Sequence, residues 1–349
     1  MNAIQEEIAY VIEEEGITLN TDSETASSGM DQLNQAIEAK LKASRIYNDS
    51  TDVNGLNVDD ALNTLKAELF QLSRGMIDGL EMSVNSTDAY DLDVQAGNAI
   101  DSANGFILKL SSAITKQIDA AWAEGNNAGG FPSNGTSGLT LTNDTWYHVF
   151  LIAQSGGTGV DVGFDTNLDA SVLLNDDNAG AESYDKYRRI GSIQYVDATT
   201  KIRPFVQNGD EFHWEGGSIL DVNGVTPAAT PSTTLHSLTL PSGVTIAALG
   251  NLQVLVDNSG SDGAFYVDLW GSSTGAPASA DNGFFRAYID KILEDGGTNY
   301  YGPDPVAQVR LLTDSAQIRS RGEAISGSLS EVSLYYRNYG YVDRRGKDS

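Results

Sequence analysis

Nine consecutive residues, Thr145-Trp146-Tyr147-His148-Val149-Phe150-Leu151-Ile152-Ala153, restrict the fold of this chain more than any other stretch. Most are β-branched, aromatic or aliphatic, none is Gly or Pro, and the run is bounded by Asn143-Asp144 and Gly156-Gly157. A segment this apolar and this short fits a central strand. A surface helix would show its apolar residues every three or four positions. Val160 to Asp165 alternates apolar and polar as a half-buried neighbour does, and Ser155-Gly156-Gly157-Thr158-Gly159 supplies the turn. Tyr187 to Tyr195 followed by Ile202 to Gln207 reads as a further strand pair. Thr145 to Trp214 is therefore expected to form the core of a β domain, with Phe150 and Ile190 inside.

Strand signals flank this block. Ala89 to Val94, Gly105 to Leu110 and Gly138 to Thr142 alternate before it, while Ile114 to Trp122 suits either a strand or a helical turn. Beyond Gly216-Gly217, strands are expected at Thr234 to Leu240, Val244 to Leu249, Leu252 to Val256, Ala264 to Trp270, Phe284 to Ile292, Ala307 to Leu312 and Glu331 to Tyr341. That number of strands with glycine turns describes a sandwich or jelly roll. Read as a strand, Leu334 to Tyr341 places Tyr335, Arg337, Tyr339 and Tyr341 on one face. Aromatic rings beside a guanidinium make a platform for sugar or protein, so this is the candidate receptor face, weighed against tyrosines that fill the sandwich or line a subunit contact.

The N-terminal part has a different period. Ile4, Ile8, Val11 and Ile12 mark one short amphipathic helix, and Met30, Leu33, Ile37 and Leu41 another. Val58, Leu62, Leu65, Leu69, Leu72 and Met76 then step by four, three, four, three and four residues, an a/d seam capped by Asn57. Such a helix is expected to pair with copies of itself as a coiled coil. The expected fold class is mainly β with N-terminal α-helices. A helical attachment segment (1–45) and a stalk helix (46–80) lead to a middle β domain (81–216) and a C-terminal β-sandwich domain (217–349).

Composition removes several functions. The formal charge is -27, with 21 basic residues against 48 acidic ones, so neither nucleic acid nor an anionic membrane is an expected partner. Cysteine is absent, which excludes disulfides, thiolate metal sites and thiol nucleophiles. No basic n-region opens the chain and no apolar run approaches the roughly 20 residues of a membrane span, so neither secretion by signal peptide nor membrane insertion is expected.

Four phrases of the central block, Trp146-Tyr147-His148-Val149-Phe150, Gly163-Phe164-Asp165-Thr166, Tyr187-Arg188-Arg189-Ile190-Gly191-Ser192 and Gly209-Asp210-Glu211-Phe212, resemble a module of bacteriophage tail fibre and related virion proteins. Glu7 to Glu13 with Gln32 to Ile37 is similar to the helical N-terminal segment of such fibres. Asp52 to Leu65 is similar to a phrase found where fibre stalks turn into a helix. Leu220 to Gly224 and Leu238 to Gly243 extend the likeness into the last part. The resemblance implies a homotrimer carried on the virion, attached to other tail or virion proteins through its N-terminal helices and presenting β domains to a host surface glycan or protein, without catalysis. The alternatives are a polysaccharide depolymerase spike, for which no internal repeat of 20 to 50 residues is present, and a passive decoration protein.

Catalytic signatures are missing: there is no Gly-x-Ser-x-Gly elbow, His-Glu-x-x-His pair or phosphate-binding loop. His148, His213 and His236 lie far apart and read first as satisfied side chains. No cofactor is expected. Asn175 to Asn178 and Asp257 to Gly263 carry loop oxygens of the kind calcium takes. Both lack EF-hand spacing, and the same residues are those that tight turns require.

Overall fold

A computed structural model describes residues 75–132, 138–175, 183–256, 263–272, 285–293, 300–301 and 306–347. They belong to the second of the chain's two compact units, Arg74–Ser349. The expected helices, the seam residues Val58, Leu62, Leu65, Leu69 and Leu72, and most of both candidate calcium loops lie outside the described residues. Met76, the last seam position, is described and is not helical. It leads directly into a strand, and its carbonyl accepts the Ile100 N–H at 3.0 Å.

The described residues are mainly β. The first half holds β1 (Ile77–Gly79), β2 (Met82–Val84), β3 (Asp91–Val94), β4 (Gly97–Ile100), β5 (Ile107–Leu110), β6 (Ile114–Ala121), β7 (Ala128–Phe131), β8 (Thr145–Gln154), β9 (Thr158–Asp165), β10 (Tyr184–Tyr195), β11 (Phe205–Asn208) and β12 (Glu211–Trp214). The second half holds β13 (Ile219–Val225), β14 (Thr234–Ser237), β15 (Ile246–Val256), β16 (Gly263–Gly271), β17 (Phe285–Leu293), β18 (Tyr300–Tyr301), β19 (Val306–Thr313), β20 (Gln317–Ser326) and β21 (Val332–Val342). Ile114 to Ala121 thus resolves as strand, whereas Gly138 to Thr142, expected as one, has no regular structure.

The central strand is where the sequence places it. β8 lies between β10 and β9 in a three-stranded antiparallel sheet, and its residues Tyr147 to Ala153 are buried. Tyr147, Val149, Leu151 and Ala153 join the main core, while Phe150 and Ile152 face a second cluster made by Trp122, Ala170, Leu173 and Tyr184. Cover on both sides explains why this stretch shows no alternation. Phe150 and Ile190 are both 0% exposed. One pairing differs from expectation: β10 pairs with β8 along its length and meets the segment after it at its end, at the Tyr195–Ile202 bridge and where Arg203 bonds Gln194. That segment supplies β11, which pairs with β12 and β2.

A ten-stranded sheet runs β19-β15-β21-β12-β11-β2-β3-β6-β7, with β13 also on β21. One edge of β21 bonds β15 from Val332 to Val342. Its other edge is shared, by β13 along Leu334 to Asn338 and by β12 along Gly340 to Val342. The boundary expected at 216–217 falls in a short connection between two neighbours of one strand. The three-stranded β10-β8-β9 sheet packs on the β12 side, where Trp146 contacts Trp214 and Tyr341 at ring-centroid distances of 6.0 and 6.1 Å. A five-stranded sheet, β14-β20-β16-β17-β18, buries Phe265, Val267, Leu269 and Ile318 in the same cluster as Leu252, Val254 and Leu334. Two sandwich-like layers thus share one long sheet and one core.

Candidate functional site

The expected receptor strand is β21, and a bulge decides which residues it presents. Asn338 pairs with Gly250 and Gly340 with Leu249, so β21 carries one more residue than β15 at this point. An extra residue reverses the facing of everything beyond it. Leu334, Tyr336 and Asn338 point into the core, and after the bulge Tyr341 joins them. Two glycines permit this geometry. Gly340 has φ +155° and a Cβ there would collide with the Phe212 carbonyl, while a Cβ on Gly250 would collide with the Tyr336 ring.

Tyr341 therefore leaves the expected face. It is 1% exposed, stacks on Phe212 at 4.9 Å with an interplanar angle of 3°, and donates its hydroxyl to the Ser192 carbonyl at 3.1 Å. Burial drives its hydroxyl pKa well above the ordinary tyrosine value. Tyr335 and Tyr339 remain half-buried on the outer face, and Arg337 is exposed. The position left by Tyr341 is filled from β12: the His213 ring lies parallel to that of Tyr339, centroids 6.2 Å apart. Register adds Asn251 opposite Arg337 and Gln253 opposite Tyr335, then Gln308 opposite Asn251 and Arg310 opposite Leu249. The outcome is an open sheet face of aromatic rings, amides and guanidiniums. Tyr335 and Tyr339 stand about 13 Å apart by strand rise. His213 escaped the sequence reading, although the alternation of Glu211 and His213 with buried Phe212 and Trp214 is the signal that places it outward.

A Ser–His pair also needs placing. Ser192 Oγ lies 2.8 Å from His148 Nδ1, and Arg189 Nη1 donates to the same Oγ at 3.1 Å. With one lone pair taken by Arg189, Ser192 Oγ still has a proton and a second lone pair, and the tautomer of His148 sets which partner donates in the bond to Nδ1. Burial, and then the neighbouring Arg189, lower the His148 pKa to about 4, so the ring is neutral near pH 7. Arg189 in turn makes two 2.7 Å bonds to Asp343. No carboxylate hydrogen-bonds His148 among the described residues, and Ser192 is 1% exposed. The chain His148, Ser192, Arg189, Asp343 ties β8 and β10 to the residues after β21, and its chemistry is that of an interlock. His236 is similarly engaged, 2.7 Å from Ser320 Oγ. Among the described residues no three His, Asp or Glu side chains converge as a metal-binding set.

No protein-family model matches this chain, and no curated protein matches it. Among solved structures, a protein of the T13 IBDV viral particle is 11% identical with a TM-score of 0.22, covering 76% of this chain and 64% of that one. The chain thus spans just under two thirds of that viral protein. A carbohydrate-binding module of the β-sandwich superfamily is 9% identical with a TM-score of 0.14, covering 77% of this chain and 96% of that one. At these TM-scores neither likeness assigns a fold.

Proposed function

We infer that this protein is a non-enzymatic virion component, a trimeric phage tail fibre or related appendage, and that the outer face of the ten-stranded sheet contacts a glycan of the host surface. The observation that carries the binding part is the composition of that face. Tyr335, Tyr339 and His213 offer flat rings, Arg337 and Arg310 offer exposed donors, and Asn251, Gln253 and Gln308 offer amides suited to sugar hydroxyls. Rings held half-buried by a rigid sheet lose little entropy on contact, which favours binding of an extended partner. The virion part is supported by the resemblance of Trp146-Tyr147-His148-Val149-Phe150 and its companion phrases, and trimerisation by the seam from Val58 to Leu72.

The test uses the intact protein and an array of bacterial envelope glycans, followed by adsorption to cells of the strain whose glycan binds. Replacing Arg337 and Tyr339 together by Ala should reduce binding about tenfold or more while lowering the melting temperature by only a few degrees, since neither side chain is in the main core. Undiminished binding by the double variant would move the contact elsewhere.

A further inference from the structure

Four arginines of this acidic protein surround a cavity of about 420 Å³ beside the β10 bulge. Arg188, Arg189, Arg344 and Arg345 line it, together with Asp343 as the one acidic residue of its wall. The hydroxyl residues Ser102 and Thr245 and the apolar Leu168 and Val244 complete the lining.

The charges are not balanced within the fold. Arg189 is neutralised by Asp343 in a two-pronged pair. Arg345 shares Asp210 with Lys347, at 3.1 and 2.7 Å from the same oxygen. Arg188 has no hydrogen-bonded carboxylate among the described residues, and Asp101 acts on it only through its field. It is 3% exposed, and its hydrogen bond is a long one, 3.4 Å, from Nη2 to the Gly75 carbonyl. Its Nε is buried without a partner, and so is Nη1 of Arg345, itself 3% exposed. Burial first, and then Arg189 and Arg345, push the proton affinity of Arg188 down, yet an arginine does not give up its proton in a protein. A buried cation held among cations with donors unused destabilises the empty protein. Evolution tolerates such a site where something else completes it.

We propose that this cavity binds an oxyanion, the carboxylate or phosphate group of an acidic sugar, with Arg188 and Arg345 as its donors. The geometry favours this chemistry. Guanidiniums present paired N–H groups that match carboxylate and phosphate oxygens, and charge-assisted bonds of this kind are the strongest a side chain makes. The volume exceeds what a lone ion needs, and Leu168 and Val244 give one wall an apolar surface for the body of a sugar ring. The site is separate from the outer sheet face, so it stands whether or not that face binds a glycan.

The experiment titrates the full chain at low salt with glucuronate, inorganic phosphate and, as the uncharged control, glucose, reading heat of binding and melting temperature. Saturable binding of glucuronate or phosphate is expected, weakened by added salt, with glucose inert; the tighter of the two anions identifies the group recognised. Arg188→Gln should weaken it about ten- to a hundredfold. Leu168→Trp, which fills the mouth from a position 42% exposed, should block binding without disturbing the core. The unliganded Arg188→Met protein should melt at the same temperature as the parent or higher, because a buried uncompensated charge is gone. Failure of both anions to bind, equal binding of glucose, or a lower melting temperature for unliganded Arg188→Met would each overturn the proposal; the last would make Arg188 a structural residue.

Discussion

His148 sits in a ten-residue strand covered on both faces, yet it is a base that the fold refuses to protonate. Its pKa falls from 6.5 in the unfolded chain to about 4 in the fold, so the unfolded state binds a proton between these values while the native state does not. The linkage has one sign: stability from this group is complete above pH 6.5 and is lost as the pH falls toward 4, by about 3 kcal/mol in all. Chemical denaturation across this window should show that loss, and His148→Gln, which cannot titrate, should flatten it. An unchanged slope in the variant would assign the acid sensitivity to other groups. Sequence reading gives this residue its burial but not its role, because the partner Ser192 and the charge of Arg189 reach it from another strand.

At the scale of elements, strands were legible from alternation in several stretches and from an unbroken apolar run in β8, although alternation misled at Gly138 to Thr142. β8, β9, β15, β16 and β19 occupy the stretches whose composition announces them, with Val244 to Leu249 and Leu252 to Val256 fused into one strand. β20 went unread because Gln317-Ile318-Arg319-Ser320-Arg321-Gly322-Glu323 hides its period: Ser320, Arg321 and Gly322 are all buried, and Arg321 bonds Asp268 at 3.0 Å. Bulges were equally invisible, since one inserted residue leaves no mark in composition while reversing every later side chain. For β21 this separates two tyrosines that look alike in the sequence. Tyr341→Ala should cost about 3 to 5 kcal/mol, the loss of a fully buried ring, whereas Tyr339→Ala should cost no more than about 1 to 2 kcal/mol at its half-buried place. Equal losses in urea denaturation would mean that the bulge does not divide the two faces.

For the whole molecule, the shared sheet makes a definite claim about cooperativity. β12 closes against a strand more than a hundred residues later, and Trp146, Phe212, Trp214 and Tyr341 form one aromatic cluster drawn from both halves. A chain ending before β21 should leave the aromatic residues of the first half without their cover and the edges of β12 and β15 unpaired. It should therefore lose the fluorescence and near-ultraviolet signature of the native tryptophans, and not retain a folded block over 81–216. A truncated protein with a sharp melting transition and native tryptophan emission would restore that block as an independent domain. Nothing local in the sequence reveals this arrangement: hydrophobic period finds strands, whereas the pairing of β12 with β21 is set by complementary surfaces far apart in the chain.

The position of β21 also fixes a moment in the life of the chain. A ribosome delivers residues in order, and β21 follows all three strands that it bonds, β12, β13 and β15. Until it emerges, the strands already made have edges with no partner, and the long sheet closes only once β21 has been made. Joining of the two halves of the sheet therefore waits on this one strand, and a nascent chain halted before it exposes open strand edges to proteases and to other chains.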